Sequence, residues 1–303
     1  MCFLNSLSYN PQDHDVIHLF PANLTHVRLG VGVTLFEDFE TEHFDAKLYG
    51  MMGRPPVLEV FNLWVKTVEL PRTVRHADFR KNLVEMLSVE PGEDVPSIAY
   101  LNLDNNDLSS IANVRVLINL EVLLLNNNNI KHIDPATMKN LTKLRILDLS
   151  RNYIRQFSTE VFPRSLTHLN LYANKLTSLN YVNMYFPSLE SLTLERNRIA
   201  SIDASAMVLA MPKLRVARVG GNPIDPVDFR RCAEQFRRYN VDIGNEVDEE
   251  ACLSKEQLVE GVCLVRLKER SAVWKVGLSL MVILVLIAMI LIVWQVFLGI
   301  KNK

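Results

Sequence analysis

The sequence lacks the signatures of catalysis and of nucleic-acid binding. Its 33 Lys and Arg residues are balanced by 34 Asp and Glu residues, so no basic excess is available to contact phosphates. It has no Gly-rich phosphate loop, no G-x-S-x-G motif and no H-E-x-x-H motif. His14 and His18 lie four residues apart, but no Glu or Cys partner accompanies them, and a solvated N-terminus explains both. We therefore expect a protein that is not an enzyme, needs no cofactor or metal, and binds no nucleic acid.

Cysteine is also scarce. The 303 residues contain only Cys2, Cys232, Cys252 and Cys263, which are too few to build a disulfide scaffold. Because 49% of the residues are hydrophobic, we expect a packed apolar core instead.

The sequence does contain a repeat. The pattern L-x-x-L-x-L-x-x-N-x-L occurs six times between residues 98 and 224, with starts separated by 22, 24, 22, 23 and 25 residues. The copies are Ile98–Leu108, Leu120–Ile130, Leu144–Ile154, Leu166–Leu176, Leu189–Ile199 and Leu214–Ile224. Six copies in phase predict a solenoid in which each unit buries its leucines against its neighbours.

Each part of the pattern has a physical role. The x-L-x-L-x segment alternates with period two, which predicts a short strand with Leu inward and the x residues outward. The ninth position is Asn in all six copies, and its amide can pair backbone groups that the turn leaves open. Within the run Asn126–Asn129, we expect Asn128 to hold this position. Stacked strands would form a parallel sheet, so the predicted fold class is α/β.

The outward strand positions form a predicted concave face. Nine residues on it are candidate partner contacts: Tyr100, Val122, Leu124, Ile146, Asp148, His168, Tyr172, Glu195 and Arg218. Exposed apolar clusters tend to be contact sites, aromatic residues are favoured anchors, and the charged members would set specificity. The alternative is that these side chains only cover their neighbours across the sheet.

Upstream of residue 98 the pattern decays. The segments LTHVRLGVGVT (24–34) and LEVFNLWVKTV (58–68) fit its leucine places weakly, and the second has Lys66 in the Asn place. Residues 72–97 suggest another copy around Leu83, Met86 and Leu87. We interpret residues 20–97 as degenerate repeats, with a separate small N-terminal domain as the alternative.

Downstream of the last copy, Asp225 and Pro226 favour the start of a helix. Four apolar residues follow at helical spacing and predict a helix that covers the last repeat: Phe229, Cys232, Ala233 and Phe236. The same helix carries four arginines that could bind an anionic partner: Arg230, Arg231, Arg237 and Arg238. A solvated face is the alternative interpretation of these arginines.

A long apolar run follows near the end of the chain. Residues 276–300 contain no charge, and as a helix they would span about 37 Å, enough to cross a bilayer of about 30 Å. Trp274 and Trp294 lie near the ends of the run, where indoles favour the membrane interface. The run therefore predicts a single transmembrane helix, and the protein is expected to be bound to a membrane.

Two orientations of that helix remain open. No signal peptide is visible in the first 15 residues, and the basic residues before the span (Arg266, Lys268, Arg270 and Lys275) outnumber Lys301 and Lys303 after it, which favours cytosolic repeats. Two glycosylation sequons, at Asn23 and Asn140, favour extracellular or lumenal repeats. We favour the second orientation.

The six repeats resemble those of the leucine-rich-repeat superfamily, in particular its extracellular typical type. Together with the cap and the single span, they are similar to receptors and adhesion proteins of the Toll and Slit type, and to transmembrane members of the insect leucine-rich immune proteins. The resemblance implies a horseshoe solenoid that recognises proteins, often in innate immunity. It also implies a cysteine cap in which Cys232 pairs with Cys252; two buried or free thiols are the alternative. Cys263 would then bridge to another chain or stay unpaired, and Cys2 is left over.

These observations predict a glycoprotein receptor, co-receptor or adhesion protein that binds a protein ligand on its concave face. The alternative is a tail-anchored, cytosol-facing scaffold that recruits a partner to an organelle. The expected segments are an N-terminal segment (1–19), degenerate repeats (20–97), regular repeats (98–224), a cap (225–253), a juxtamembrane linker (254–275), the transmembrane helix (276–300) and a tail (301–303).

Overall fold

A computed structural model describes residues 2–4, 20–21, 23–30, 42–156, 162–181, 184–244 and 252–267. Its strands are β1 (Cys2–Leu4), β2 (His26–Gly30), β3 (His43–Phe44), β4 (Val57–Phe61), β5 (Thr67–Leu70), β6 (His76–Asp78), β7 (Met86–Val89), β8 (Tyr100–Asn102), β9 (Val122–Leu124), β10 (Ile146–Asp148), β11 (His168–Asn170), β12 (Ser191–Thr193), β13 (Val216–Arg218), β14 (Glu256–Val259) and β15 (Val262–Val265). Its helices are α1 (Ala46–Met51), α2 (Pro135–Met138), α3 (Ala204–Ala210) and α4 (Pro226–Arg238), with a 3-10 helix at Ala112–Val116.

Among these residues, no helix has the length and apolar character needed to cross a bilayer. The predicted transmembrane helix at 276–300 and the tail at 301–303 lie outside the described residues, as does most of the N-terminal segment.

Ten strands form one parallel sheet in the order β1-β2-β4-β6-β8-β9-β10-β11-β12-β13. The last six are the strands of the six repeat copies. They pair in register, so that one column of buried residues runs through the sheet: Leu101, Leu123, Leu147, Leu169, Leu192 and Ala217. The predicted α/β solenoid with a parallel sheet is therefore confirmed over the six copies.

The Asn at the ninth pattern position forms the expected ladder. The Nδ2 of Asn152 donates to the carbonyl oxygens of Leu125 at 2.9 Å and Leu149 at 3.1 Å, and its Oδ1 accepts from the N–H of Ile130 at 3.0 Å. Equivalent buried amides are those of Asn82, Asn106, Asn128, Asn174, Asn197 and Asn222. The amides pair backbone groups that have no strand partner and would otherwise be buried unsatisfied.

The residue before each ladder Asn has a left-handed backbone, a feature that the pattern did not predict. φ is 57° at Asn105, 55° at Asn127, 53° at Arg151, 54° at Arg196 and 66° at Gly221. The chain turns out of the strand here, and this conformation suits Gly and Asn better than other residues. The run Asn126–Asn129 thus supplies a left-handed Asn127 followed by the ladder residue Asn128, as expected for Asn128.

Residues 20–97 contribute β2, β4 and β6 to the same sheet. The alignment that began at Leu24 has the observed register, because Val27 pairs with Leu58 and both are buried. The alignment that began at Leu58 is wrong by three residues. Leu58 and Val60 face the core, Phe61 faces outward, and Leu63 rather than Lys66 occupies the Asn place. Period-two alternation fits both frames, and only pairing with the neighbouring strands separates them.

The copy expected around Leu83, Met86 and Leu87 also lies elsewhere. Ala77 pairs with Leu101, which places the copy at 74–84 with Asn82 as its ladder residue. Leu83 and Met86 are 39% and 65% exposed, and only Leu87 of the three enters the core. Opposite the main sheet, β3, β5 and β7 form a second parallel sheet, which the later repeats replace with short helices.

After the last repeat, α4 begins at Pro226 and is capped by Asp225, whose carboxylate accepts from the N–H of Val227 at 2.8 Å. Its four predicted apolar residues are all buried. Asp242 then extends the main sheet by one bridge to Val216. The predicted linker from residue 254 is wrong in its first part, because β14 and β15 form an antiparallel hairpin within the unit that extends through Val265.

The hairpin supplies the hydrogen-bond acceptor for the turn of the last repeat. The N–H of Arg196 donates to the carbonyl oxygen of Gly220 one repeat on, and the N–H of Gly221 donates to that of Cys263 at 2.6 Å. A Cβ on Gly220 would lie 3.3 Å from the same Cys263 oxygen, so glycine allows this close approach. The Cys263 carbonyl oxygen therefore takes the place of the acceptor that the turn of a seventh regular repeat would provide.

The predicted Cys232–Cys252 disulfide is wrong. Cys252 bonds to Cys263 across a Cα–Cα distance of 5.5 Å, while Cys232 is a free, buried thiol on the inward side of α4. Burial raises the pKa of the Cys232 thiol to about 12, which keeps it protonated and unreactive. The hairpin brings Cys263 back beside Cys252, so Cys263 is not left over. Cys2 is also free.

Candidate functional site

The concave face consists of three rows of outward side chains, at pattern positions 3, 5 and 7. All nine candidate contacts lie in these rows on the same face of the main sheet. Position 3 carries Tyr100, Val122, Ile146 and His168; position 5 carries Leu124, Asp148 and Arg218; position 7 carries Tyr172 and Glu195. The nine residues that the sequence placed on one face of the sheet therefore lie on one face in the structure.

The position 3 row has an apolar centre, formed by Val122 and Ile146, that is partly open to solvent. Ile146 is 38% exposed and pairs in register with Val122 on one side and His168 on the other. The row continues through Tyr100 to His76, whose rings stack with centroids 4.1 Å apart and planes 1° apart. His76 was not a candidate in the sequence, because the copy that contains it was placed in the wrong register.

The position 5 row is polar and internally bonded. The Asp148 carboxylate accepts from the N–H of Ser150 at 2.8 Å and from the Nδ2 of Asn170 at 2.9 Å. Leu124 is half-buried beside it, in register with Asp148. Asp148 thus orders its neighbours, and it has less capacity to bond a partner than its outward position suggested.

A second carboxylate lies next to this row. Asp104 at position 7 accepts from the N–H of Asn126 at 2.6 Å. Burial, together with the negative charges of Asp148 and Asp78, raises the pKa of Asp104 to about 6, although the hydrogen bond from Asn126 acts in the opposite direction. Burial likewise raises the pKa of Asp78. The middle of the concave face is therefore acidic.

The C-terminal end of the face is tied to the chain beyond the repeats. The Arg218 guanidinium donates to the carbonyl oxygen of Gly244 at 3.0 Å and to the Asp242 carboxylate at 2.9 Å. The ion pair with Arg218 lowers the pKa of Asp242. Arg218 thus holds the segment after α4 against the sheet. Burial raises the pKa of the Glu195 carboxyl nearby.

The N-terminal end of the face carries contacts that the sequence analysis missed. Glu59 bridges His26 at 3.1 Å and Arg28 at 3.2 Å, and the Arg28 guanidinium lies 4.8 Å from the ring centre of Phe61. His26 and Arg28 belong to a copy that was aligned correctly, but their partners Glu59 and Phe61 belong to the copy that was aligned three residues out of register.

The described residues hold no group of three or more His, Cys, Asp or Glu side chains placed to bind a metal ion. Both sequon residues, Asn23 and Asn140, are exposed. The concave face therefore has a partly apolar row and an acidic centre, and it is suited to noncovalent contact with another molecule.

A family model and several known proteins are similar to parts of this chain. The leucine rich repeat family model matches residues 118–176. The chain is 31% identical over 162 residues to human leucine-rich repeats and immunoglobulin-like domains protein 3, covering 52% of this chain and 14% of that protein. It is 32% identical over 158 residues to horse Toll-like receptor 9, covering 48% of this chain and 14% of the receptor. The chain thus spans a small part of the length of these relatives.

Among solved structures, an internalin of Listeria monocytogenes matches with a TM-score of 0.50 at 18% identity, covering 73% of this chain and 61% of that one. This match supports the fold alone. The names of the matched family and relatives are those of repeat proteins and a receptor, in agreement with the prediction that the chain is not an enzyme. The stacked repeats, the family match over residues 118–176 and the fold in common with the internalin make this chain similar to leucine-rich-repeat proteins.

Proposed function

We propose that this protein is a membrane-anchored receptor, co-receptor or adhesion protein that recognises a protein partner through its concave face. The observation that carries the proposal is the apolar row at position 3. Ile146 is 38% exposed between Val122 and His168, on a sheet face where the polar rows bond mainly to one another. An apolar row that nothing in the described chain covers gains free energy when a partner buries it.

The membrane anchor in this proposal is the apolar run at 276–300. The proposed location of the repeats is extracellular or lumenal. The Cys252–Cys263 disulfide supports it, because disulfides persist in oxidising compartments. The exposure of Asn23 and Asn140 is compatible with glycosylation. In this proposal, α4 and the hairpin act as the C-terminal cap, and a similarity to Toll-like receptor 9 makes innate immune recognition one role to examine.

A tail-anchored scaffold with cytosolic repeats is the second candidate. One observation favours it: four basic residues precede the apolar run and two follow it. The disulfide weighs against it, because cytosolic thiols are kept reduced.

The concave face can be tested by cross-linking. A photoreactive amino acid at position 146 of the full chain, expressed in cells, would capture a contacting protein, and mass spectrometry would identify it. The purified partner is then titrated against the full chain. We expect Ile146→Asp to weaken binding by about tenfold or more, because it places an unpaired charge in a buried apolar contact.

Ile118 provides the matched control, because it is also 38% exposed but lies outside the strands of the main sheet. Ile118→Asp should leave the dissociation constant within about twofold of the unmodified chain. If both substitutions weaken binding equally, or if neither does, the concave face is not the contact surface.

A further inference from the structure

A second surface lies on the turns, beside the concave face. Pattern positions 8 and 10 flank the ladder Asn, and in three successive repeats they carry Arg151 and Tyr153, then Ala173 and Lys175, then Arg196 and Arg198. Backbone hydrogen bonds join these turns, for example from the N–H of Lys175 to the Ile154 carbonyl oxygen at 2.8 Å. We call the cations Arg151, Lys175, Arg196 and Arg198, with Tyr153 and Tyr172, the basic rim.

The four cations of the basic rim form no close ion pair in the part of the chain that the structure describes, although the positive charge of Arg196 acts on the neighbouring Glu195 carboxylate. Among the described residues, none of them has a carboxylate oxygen within 4 Å, whereas three arginines of α4 do. Arg231 pairs with Asp228 at 3.7 Å, Arg238 pairs with Glu234 at 2.6 Å, and Arg237 pairs with Glu260. The helix arginines therefore form mostly internal pairs, while the rim presents unpaired positive charge in a chain with a net charge of −1.

The fold does not require arginine in these turns. Arg151 and Arg196 have left-handed backbones with φ of 53° and 54°, at the position that Asn105 and Asn127 fill in earlier repeats. The left-handed backbone conformation is unfavourable for arginine, whereas Asn and Gly adopt it more readily. A locally unfavourable residue that recurs at a surface position is better explained by what it contacts than by folding.

The tyrosines of the rim are occupied by its own cations. The Lys175 ammonium lies 4.3 Å from the ring centre of Tyr153, and the guanidiniums of Arg151 and Arg196 lie 5.8 and 5.9 Å from that of Tyr172. These contacts hold the charges in place. They also occupy aromatic faces on which nucleic-acid bases would need to stack.

We propose that the basic rim binds an extended sulfated polysaccharide. Arginine forks suit sulfate groups, which can accept paired hydrogen bonds, and cations on successive turns match a ligand with regularly spaced negative charges. The proposal does not depend on the proposed protein partner, because Tyr172 alone belongs to both surfaces and the apolar residues at position 3 contribute nothing to the basic rim.

The test uses the full chain in detergent micelles with a heparin-derived decasaccharide, measured by calorimetry at several salt concentrations. The double variant Arg151→Asn with Arg196→Asn should bind at least about tenfold more weakly and show a shallower salt dependence, because two charged contacts are lost. Its thermal midpoint should be unchanged or higher, because Asn suits the left-handed backbone. A folding defect therefore cannot imitate the expected result.

The matched control is Arg230→Gln with Arg231→Gln, which removes the same charge from the exposed side of α4 and should change binding by less than about twofold. A desulfated decasaccharide should not bind. The proposal is overturned if the sulfated probe fails to bind at low salt, or if the control pair weakens binding as much as the rim pair. It is also overturned if a single-stranded oligonucleotide of equal charge binds as tightly as the decasaccharide.

Discussion

Two adjacent asparagines in one turn have different environments. Asn128 is buried; its Oδ1 accepts from the N–H of Leu108 at 3.0 Å, and its Nδ2 donates to the Leu103 carbonyl oxygen at 2.9 Å. Asn129 bonds to the Asp107 carboxylate at the surface. We expect Asn128→Ala to lower the free energy of unfolding by about 1–3 kcal/mol, because the Leu108 N–H loses its only acceptor in a buried site. Denaturant unfolding of the purified chain measures this loss.

Asn129→Ala is the control for that measurement, since it removes an exposed bond in the same turn. It should change the free energy of unfolding by less than about 0.5 kcal/mol. Equal losses for the two variants would show that the ladder amide is not the source of the stability.

For single residues, the sequence predicted the positions at which the repeat requires one residue type. The ladder residues from Asn106 to Asn222 were readable because one residue type fits the buried amide site. The left-handed residue before each was not, because Asn, Arg, Ala, Lys and Gly all occupy that position. The raised pKa of Asp104 could not be predicted either, since it depends first on the burial of the carboxyl and then on Asp148 and Asp78, which are distant in sequence.

Among the elements, the C-terminal hairpin differed most from expectation. Glu260 and Gly261 both have positive φ, at 52° and 76°, which is the geometry of a two-residue hairpin turn. Leu258 and Val259 precede this pair and the apolar run Val262–Val265 follows it, so a local signal for the hairpin was present. The disulfide partner was not readable, because only the hairpin brings Cys263 back to Cys252.

The hairpin should loosen when its disulfide is removed. We expect Cys252→Ser with Cys263→Ser to destabilise residues 256–265 by about 3 kcal/mol, the loop-closure value for a separation of 11 residues. Amide hydrogen exchange followed by mass spectrometry should show faster exchange in these residues.

Cys232→Ala serves as the comparison, because the Cys232 thiol is buried and free. It should leave exchange in the hairpin unchanged. A peptide map of the unreduced chain that links Cys232 to Cys252 would contradict the assignment of the disulfide.

For the whole molecule, the solenoid could be predicted because one pattern recurs in phase. The number of strands could not, since β1 joins the sheet from residues 2–4, and β4 and β6 belong to copies whose register only their neighbours define. The nine concave residues followed directly from strand alternation. Some of their bonds, such as that of Arg218 to Asp242, are made to chain that follows the repeats.

The orientation of the protein can be tested through Asn140, which is exposed and lies in a sequon. With lumenal repeats, glycosidase treatment of the full chain should produce a mobility shift that Asn140→Gln reduces by one glycan. Asn23→Gln tests the second sequon in the same way. An unshifted chain whose repeats are digested by protease on intact microsomes would instead establish the cytosolic arrangement.

The replacement of a seventh turn by the Cys263 carbonyl also bears on how such a chain can change length over evolutionary time. A duplicated coil appended after Ile224 would separate the final turn from the oxygen that completes it. A coil inserted between two existing ones would meet the same partners on both sides. Duplication of an interior coil is thus expected to disturb fewer contacts than addition of a coil after Ile224, so the last coil and the hairpin are expected to be retained together.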